Sequence, residues 1–386
     1  MAQQAECPVC SGAEVLDVLW RENLPLMQNV VFATREQAMK SSRGSLVLGI
    51  CRKCGFAYNR VFDPARLKYD ASYDNDVPSP IFKDYYRELA RTLAERYDLG
   101  GGTVYDVGCG KGTFLEILCE GIPNLTAIGI DPSCTPNEEK GLRLIRDVFS
   151  SRYFTEDPSL VICRHVLEHI VRPRDFAASL GHAIAGFPNV PFFFEVPDLN
   201  WILSNGAFWD FCYEHCNYFT PESLANTLSL AGFSPSAGGP CFAQQYQWIS
   251  CRIAHKRIAI PLVPQESLIE RATAYATAER NRIQEARACV EAARREGPCV
   301  LWGMATKGVV FANLVDPQGE LIEGGIDVNT RKQGKFIPGT GHCIQPPAWL
   351  AELSGSPTVF VMNRNYAAEI ARMIDSLGSH AQLRVL

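Results

Sequence analysis

The sequence lacks any long apolar run. Its longest, such as Val190 to Phe194, fall far short of the ~20 residues that a membrane-crossing helix needs, so no span is expected. It lacks a basic stretch followed by an apolar core at its start, where Met1-Ala2-Gln3-Gln4-Ala5-Glu6 stands. No secretory signal is read there, and a cytoplasmic location is the expectation. Excess positive charge is missing too: 37 Lys and Arg against 42 Asp and Glu leave a formal net charge of −5. That balance disfavours a protein held on nucleic acid or an anionic membrane by bulk electrostatics. With 47% hydrophobic and 20% charged residues there is no compositional extreme, which excludes a fibre, a collagen or a mainly disordered chain. The 386 residues allow two to three domains and a sizeable core.

Cysteine, by contrast, is plentiful: fifteen residues, an odd count, spread from Cys7 to Cys343. In a chain read as cytoplasmic they are reduced thiols, and pairs at ligand spacing hold metal. Cys7-Pro8-Val9-Cys10 and Cys51-Arg52-Lys53-Cys54 are two such pairs, the second followed by Gly55, which permits a tight turn. Four thiolates suit Zn²⁺, and a closed Cys₄ site is structural because no coordination position stays open. The segment between the pairs, residues 11 to 50, is longer than usual for a zinc ribbon. The competing reading is a set of buried or redox cysteines. A thioredoxin-type pair would follow a strand and open a helix, whereas short strands and turns are expected here.

From Ile81 to Asp98 apolar residues recur at helical spacing, and the helix ends at Gly100-Gly101-Gly102. Then come a short strand, Thr103 to Val107, a glycine turn, Gly108-Cys109-Gly110-Lys111-Gly112, and an amphipathic helix carrying Phe114, Leu115, Ile117 and Leu118. A glycine loop alone is a weak signal. Here Asp106 ends the strand before the glycines, and Asp131 ends the next apolar strand, Thr126 to Ile130, about twenty residues on, where a carboxylate can take both hydroxyls of a ribose. A D-x-G-x-G-x-G string suits a ligand with an amino-acid tail better than a dinucleotide pyrophosphate. The cofactor expected is S-adenosylmethionine.

These residues resemble the class I methyltransferases. VYDVGCGKGTFLEIL is similar to their first motif, GIDPS to their second, Asp147-Val148-Phe149 to the turn flanking the adenine, and LVICRHVLEHI, Leu160 to Ile170, to the fourth-strand motif. The resemblance implies an α/β, Rossmann-like core with the cofactor across the carboxyl ends of its strands. It implies cofactor contacts from Asp106, Gly108, Gly110, Gly112, Asp131, Pro132, Asp147, Val148, Phe149 and His165. His165 and His169 flank Glu168 in an inverted metalloprotease-like string, set aside because it follows a strand directly; His169 is expected either to cap its helix or to line the site.

After the strand around Val190 to Phe194, an aromatic run extends from Phe208 to Phe219, followed by Thr220 as an N-cap and Pro221 at the first helical position. A loop between strand and helix is expected, carrying Tyr213-Glu214-His215 as a proton-transfer set, since a neighbouring carboxylate can orient a His that titrates near neutrality. Methyl transfer to carbon needs such a base, aimed at a C–H beside a carbonyl. The competing reading is that Glu214 and His215 merely bond backbone in a packed loop.

With the Cys₄ pairs, this segment resembles the zinc-containing sugar C-methyltransferases that act on nucleotide-linked 4-keto deoxysugars in antibiotic pathways. Glu214, His215, Tyr218 and Phe219 match the family's E-H-x-x-Y-F string, in which the His is the base. The family's Tyr two places before the Glu is Cys212 here, with Tyr213 one place later, and Tyr73 is the candidate for a further family tyrosine. The implied organisation is an N-terminal zinc-binding lobe (1–70), a methyltransferase core (71–258) and a C-terminal Rossmann-like α/β lobe (259–386). In that last lobe, opened by a long helix over 264 to 296, the loop Ala305-Thr306-Lys307-Gly308 lacks dinucleotide spacing. Lys307, Arg331, Lys332 and Lys335 are candidates for a substrate diphosphate, or else a solvated face.

The expectation is therefore a methyltransferase using S-adenosylmethionine, with structural Zn²⁺ on Cys7, Cys10, Cys51 and Cys54, and a small-molecule substrate, a nucleotide-sugar leading. His215, Glu214, Tyr213 and Tyr73 are its expected catalytic residues. No nucleic acid and no membrane are expected as partners, and the chain is expected to be a monomer or homodimer. The alternatives are O- or N-methylation of a natural product and, from another class, a zinc-ribbon nucleic-acid binder, which the net charge of −5 disfavours.

Overall fold

The computed structural model of the chain describes residues 6–254 and 265–386, and three sheets organise them. In the N-terminal sheet the strand Val15–Pro25 runs antiparallel to Arg43–Cys51, which pairs with Ala57–Asn59. Its fourth strand, Asn217–Tyr218, is donated by the aromatic segment and pairs antiparallel with Ala57–Asn59. That segment was expected as a loop; two of its residues instead close a sheet begun more than 150 positions earlier.

The central sheet has eight strands. Five are parallel, in the order Phe192–Pro197, Pro158–Arg164, Thr103–Val107, Thr126–Ile130 and Leu142–Ile145. An antiparallel pair, Tyr246–Ile253 and Phe233–Cys241, extends one edge, and the short Asn137–Glu139 the other. The chain winds outward from Thr103–Val107 to one side, then returns to build Pro158–Arg164 on the other. The carboxyl ends of these two strands are the topological switch point, where open α/β sheets bind ligands.

Local signals account for the helices around this sheet. Ser79 caps Pro80–Arg96, close to the expected 81–98, with Pro80 in its first turn. Thr220 caps Pro221–Leu230 in a reciprocal box with Ser223, as the Thr-Pro pair predicts. The C-terminal sheet is all parallel, in the order Ile344–Gln345, Gly324–Ile326, Cys299–Trp302, Thr358–Val361 and Gln382–Val385. The long helix before it, Glu266–Glu296, matches the expected 264–296, and the expected lobe boundary at 258/259 lies outside the described residues.

Shared cores join the three sheets. Leu24 and Leu46 of the first sheet pack with Ile202, Phe208 and Phe211, with Leu268 of the long helix and with Phe311 and Phe360 of the C-terminal unit. A second core joins Val9, Phe56 and Tyr58 to Phe194 and Phe219 of the central unit. Burial at roughly 25 cal/mol per Å² of apolar surface is a large term across such contacts. A buried ion pair between Arg21 and Glu279 adds a directional tie, with Arg21 also donating to the Phe211 carbonyl at 2.7 Å. Among the described residues no helix is long and apolar enough to cross a membrane.

Candidate active site

A cavity of about 280 Å³ is lined by the central and C-terminal sheets and by Asn29 and His215, which lie just outside strands of the N-terminal sheet. Its floor is the switch point. Gly108 and Gly110 turn with φ of +86° and +57°, a region that costs glycine little. A Cβ at position 108 would come within 2.1 Å of Val166, so the tight turn there demands glycine sterically as well. Gly112, at φ +89°, is the N-cap of the helix Thr113–Gly121 and packs on Leu144, outside the cavity lining.

Asp106, next to last in its strand, faces this cavity, 3% exposed, with Oδ1 buried and lacking a hydrogen-bond partner among the described residues. Burial, reinforced by the charges of Asp131 and Glu195 and opposed by Arg164 and His165, raises its pKa to about 7. An orphaned carboxylate oxygen at a glycine turn fits an ammonium group, as in the amino-acid tail of S-adenosylmethionine. Asp131 holds the loop from behind: Oδ2 accepts from the Gly110 amide at 2.9 Å, and Oδ1 from the Ser133 amide and hydroxyl, both at 2.7 Å.

His165 also lines the cavity, in a left-handed conformation at φ +54°. Nε2 lies 2.8 Å from Glu195 and Nδ1 3.5 Å from Glu168. Burial works against its charge, but the two carboxylates outweigh it and raise the pKa to about 9. Glu195 in turn pairs with the buried Arg164, whose guanidinium lies 4.6 Å from the Phe114 ring centre and 4.8 Å from that of Tyr86. His165 is thus a fixed cation at the cavity wall. Pro132 and the run from Asp147 to Phe149 lie outside the lining: Asp147 is held by Arg152 and Tyr153, Val148 is 65% exposed, and Phe149 packs on Phe154 and Phe176.

His215 and Tyr73 line the same cavity, and ligand atoms of Glu168, His169 and His215 lie within 4.8 Å of one another. His215 is pushed well below the usual imidazole range by burial first, then by the positive charges of His169, His165 and Lys307. It is neutral near pH 7, with a lone pair available. Its neighbour in sequence faces elsewhere. Glu214 is fully buried and outside the lining; Oε1 accepts from the Gln28 amide at 3.0 Å and the carboxylate faces the Tyr73 phenol. The chain bends at Tyr213 and Glu214, which sends neighbouring side chains into different surroundings, and the direct Glu214–His215 pair expected from the sequence is not formed. His169 takes that place, its ring edge-on to His215 with centroids 4.8 Å apart.

Tyr213 is corrected as well. Its hydroxyl accepts from the Asp63 amide at 3.1 Å, its ring packs on Phe62 and leaves no space for a Cβ at Gly44, and it is not in the cavity. Tyr69, which no sequence motif marked, brings its hydroxyl to 2.9 Å from His169 Nδ1 and its ring edge-on to Tyr73. Cys212 is fully buried and outside the lining. Of the four candidates for a diphosphate, Lys307 and Lys332 line the cavity while Arg331 and Lys335 do not: Lys307 is clamped by Asp210 at 2.5 and 2.6 Å, Arg331 is held by Asp74 and Asp76, and Lys335 is exposed.

Residues 79–236 match the family described as "Methyltransferase domain", and residues 265–381 match "C-methyltransferase C-terminal domain". The chain is 26% identical to the C-methyltransferase NovU of Streptomyces niveus over 403 aligned positions, 95% of this chain and 91% of the other. The chain thus carries a methyltransferase domain followed by a C-methyltransferase C-terminal domain, and it is similar along nearly its whole length to a C-methyltransferase. Solved structures resemble it over part of its length. Magnesium protoporphyrin IX methyltransferase of Synechocystis PCC 6803, with bound S-adenosylhomocysteine, is 15% identical at TM-score 0.34, covering 45% of this chain and 84% of that one. The riboflavin-analogue dimethyltransferase RosA of Streptomyces davawensis is 16% identical at TM-score 0.36, covering 45% and 55%.

The methyltransferase also brings its four N-terminal cysteines together. Cys7 and Cys54 sulfurs are 3.6 Å apart, Cys10 and Cys51 3.5 Å, and all four lie within 4.8 Å of one another. Tetrahedral Zn–S bonds of ~2.3 Å put sulfurs roughly 3.8 Å apart, so the cluster fits zinc. Gly55, at φ +71°, makes the second turn, and the strand that follows is the one that pairs with Asn217–Tyr218, two residues beyond His215.

Proposed function

We propose that this methyltransferase alkylates a carbon next to a carbonyl on a nucleotide-linked keto-deoxysugar or a related natural-product intermediate, with His215 as the base. The observation that carries the reading is a neutral, half-buried imidazole at His215 in the same cavity as the orphaned Asp106 carboxylate oxygen. Bound S-adenosylmethionine supplies an electrophilic methyl group. Asp106 would hold its ammonium, while Gly108 and Gly110 let the backbone approach its amino-acid tail.

His215 accepts the proton from the carbon beside the carbonyl, and the electron pair of that C–H bond becomes the double bond of an enolate. The nucleophilic carbon would then form its bond to the methyl group while the sulfur–methyl bond breaks and its electron pair stays on sulfur, S-adenosylhomocysteine being the leaving group. Tyr73, backed by Glu214, orients the sugar hydroxyls or carbonyl, so that Glu214 assists at one remove. His169 and Tyr69 position His215 from behind. The nucleotide would lie against the C-terminal sheet, whose strand ends contribute Trp302, Asp327 and Met362 to the same cavity. The four-cysteine cluster would hold structural Zn²⁺, taking no part in the reaction because its coordination is closed.

The test is His215→Ala assayed with dTDP-4-keto-6-deoxyglucose as probe. The expected loss in kcat is about 10²- to 10⁴-fold, with S-adenosylhomocysteine affinity by calorimetry unchanged. Methylation surviving at better than roughly a tenth of wild type would mean that another group is the base. Wild-type enzyme that exchanges no substrate C–H for deuterium points instead to transfer onto oxygen or nitrogen.

A further inference from the structure

One fully buried cation in the cavity has no carboxylate within ion-pair distance among the described residues, the charges of Asp74 and Glu214 acting on it only from farther off. Lys332 is 2% exposed, and among the described residues its ammonium makes a single hydrogen bond, to Asn29 Oδ1 at 3.2 Å, with no carboxylate within ion-pair distance. Burying an ammonium without an anion costs several kcal/mol. Three neighbouring cations are paired, Lys307 with Asp210, Arg331 with Asp74 and Asp76, and His165 with Glu168 and Glu195, while Lys111, less buried in the same lining, donates to the Ala71 and Ser133 carbonyls. Lys332 therefore stands out as a donor with two N–H bonds free, lining the space where substrate must sit.

Its place in that space is defined through Asn29. The Asn29 amide nitrogen donates to Thr306 Oγ1 at 3.1 Å, in the first turn of the ten-residue helix Thr306–Val315, and the same side chain meets the Tyr73 phenol. Tyr73 faces Glu214, the residue next to His215. The ammonium is thus one residue removed from the wall that carries the base, and the positive end of a helix dipole lies beside it.

We propose that Lys332 is a catalytic residue that binds the carbonyl oxygen of the substrate and stabilises it as the enolate oxyanion. This rests on the proposed carbon alkylation. As His215 takes the α-proton, the C–H electron pair forms the C=C bond and the carbonyl π pair moves onto oxygen, whose new negative charge is met by the Lys332 ammonium. When the carbon bonds to the methyl group, the oxygen returns its pair and the ketone is restored. A fixed donor in a water-poor site is worth most where charge develops during reaction. A diphosphate, with its several oxygens, calls for a cluster of donors that the paired Lys307 and Arg331 do not offer.

The experiment compares wild type, Lys332→Met and Lys332→Arg, each saturated with S-adenosylhomocysteine, in D₂O with dTDP-4-keto-6-deoxyglucose as probe. Deuterium entry beside the ketone is followed by NMR and dTDP affinity by calorimetry. Lys332→Met is expected to slow exchange about 10²- to 10³-fold, with dTDP affinity within roughly twofold of wild type, and Lys332→Arg to recover part of the rate. Exchange within about threefold of wild type overturns the proposal. So does a tenfold or greater loss of dTDP affinity with exchange at saturation unchanged, which would assign Lys332 to the diphosphate. Wild-type enzyme that exchanges nothing overturns the carbon-alkylation reading, and this one with it. Thermal melting verifies folding, and Lys332→Gln serves if the Met variant does not fold.

Discussion

The rings of His169 and His215 meet edge-on, their centroids 4.8 Å apart, although 46 residues separate them in the chain. His169 Nδ1 lies 3.0 Å from the Glu214 carbonyl, which can only accept, so Nδ1 carries the proton in that bond. The two imidazoles are a coupled unit, and the electrostatics of one set the basicity of the other.

Replacing His169 therefore changes a pH profile as well as a rate. After burial, the charge of His169 is the largest influence holding His215 below its ordinary range. In His169→Asn the acidic limb of kcat/KM moves to higher pH, toward the ordinary value near 6.5. Loss of rate with an unmoved limb would leave His169 a purely steric support.

Asp106 sets stability against cofactor affinity. Its folded pKa of about 7 exceeds the unfolded ~3.9. The folded state thus holds a proton that the unfolded state has lost, and stability falls as pH rises between those values. Asp106→Asn should raise the melting temperature at pH 8, while S-adenosylhomocysteine affinity drops by at least about tenfold, or roughly 1.4 kcal/mol. A lowered melting temperature would show the carboxylate to be a structural contact.

The ion cluster behind the cavity gives opposite pH signatures. The pKa of His165 is raised to about 9, so its contribution is complete below ~6.5 and lost as pH rises through 9. Burial opposes the charge of Glu195, but Arg164 and His165 outweigh it and hold its pKa below the ordinary range, so its contribution is present above ~4.3 and lost on acidification. Glu195→Gln, which strands the buried Arg164 charge, should cost roughly 3 to 5 kcal/mol in denaturant unfolding. His165→Gln should flatten the alkaline loss.

The cysteine cluster is predicted to affect catalysis through one strand pairing. The Asn59 amide donates to the Cys216 carbonyl at 2.8 Å, directly beyond His215, and Asn59 ends the strand that follows the second Cys pair. Purified protein should contain about one zinc per chain. Cys51→Ser should lower both the melting temperature and kcat, with S-adenosylhomocysteine affinity affected less than kcat. A metal-free, fully folded and active preparation would remove zinc from the account.

Much of this was legible in the chain because the signals are local. The strand, glycine turn and helix around Gly108 occupy consecutive residues, the Thr220-Pro221 cap announces its own helix, and both Cys pairs carry their ligand spacing. Less could be read where neighbours in sequence part in space. Glu214 and His215 suggested a pair, Tyr213 a phenol in the site, and four basic residues a diphosphate clamp, yet each depends on which way a side chain turns.

The sequence by itself determined that there would be a cofactor turn with an acidic residue at its strand end, a four-cysteine cluster and a His-bearing aromatic segment, because backbone conformation and ligand spacing are set within a few residues. Only the tertiary structure decided that Glu214 turns away to Tyr73, that His169 and Tyr69 stand behind His215, and that Lys332 is fully buried with no carboxylate within ion-pair distance among the described residues. Burial and charge compensation are sums over everything a side chain touches. At Lys332 the one hydrogen-bond partner lies 303 positions away in the chain.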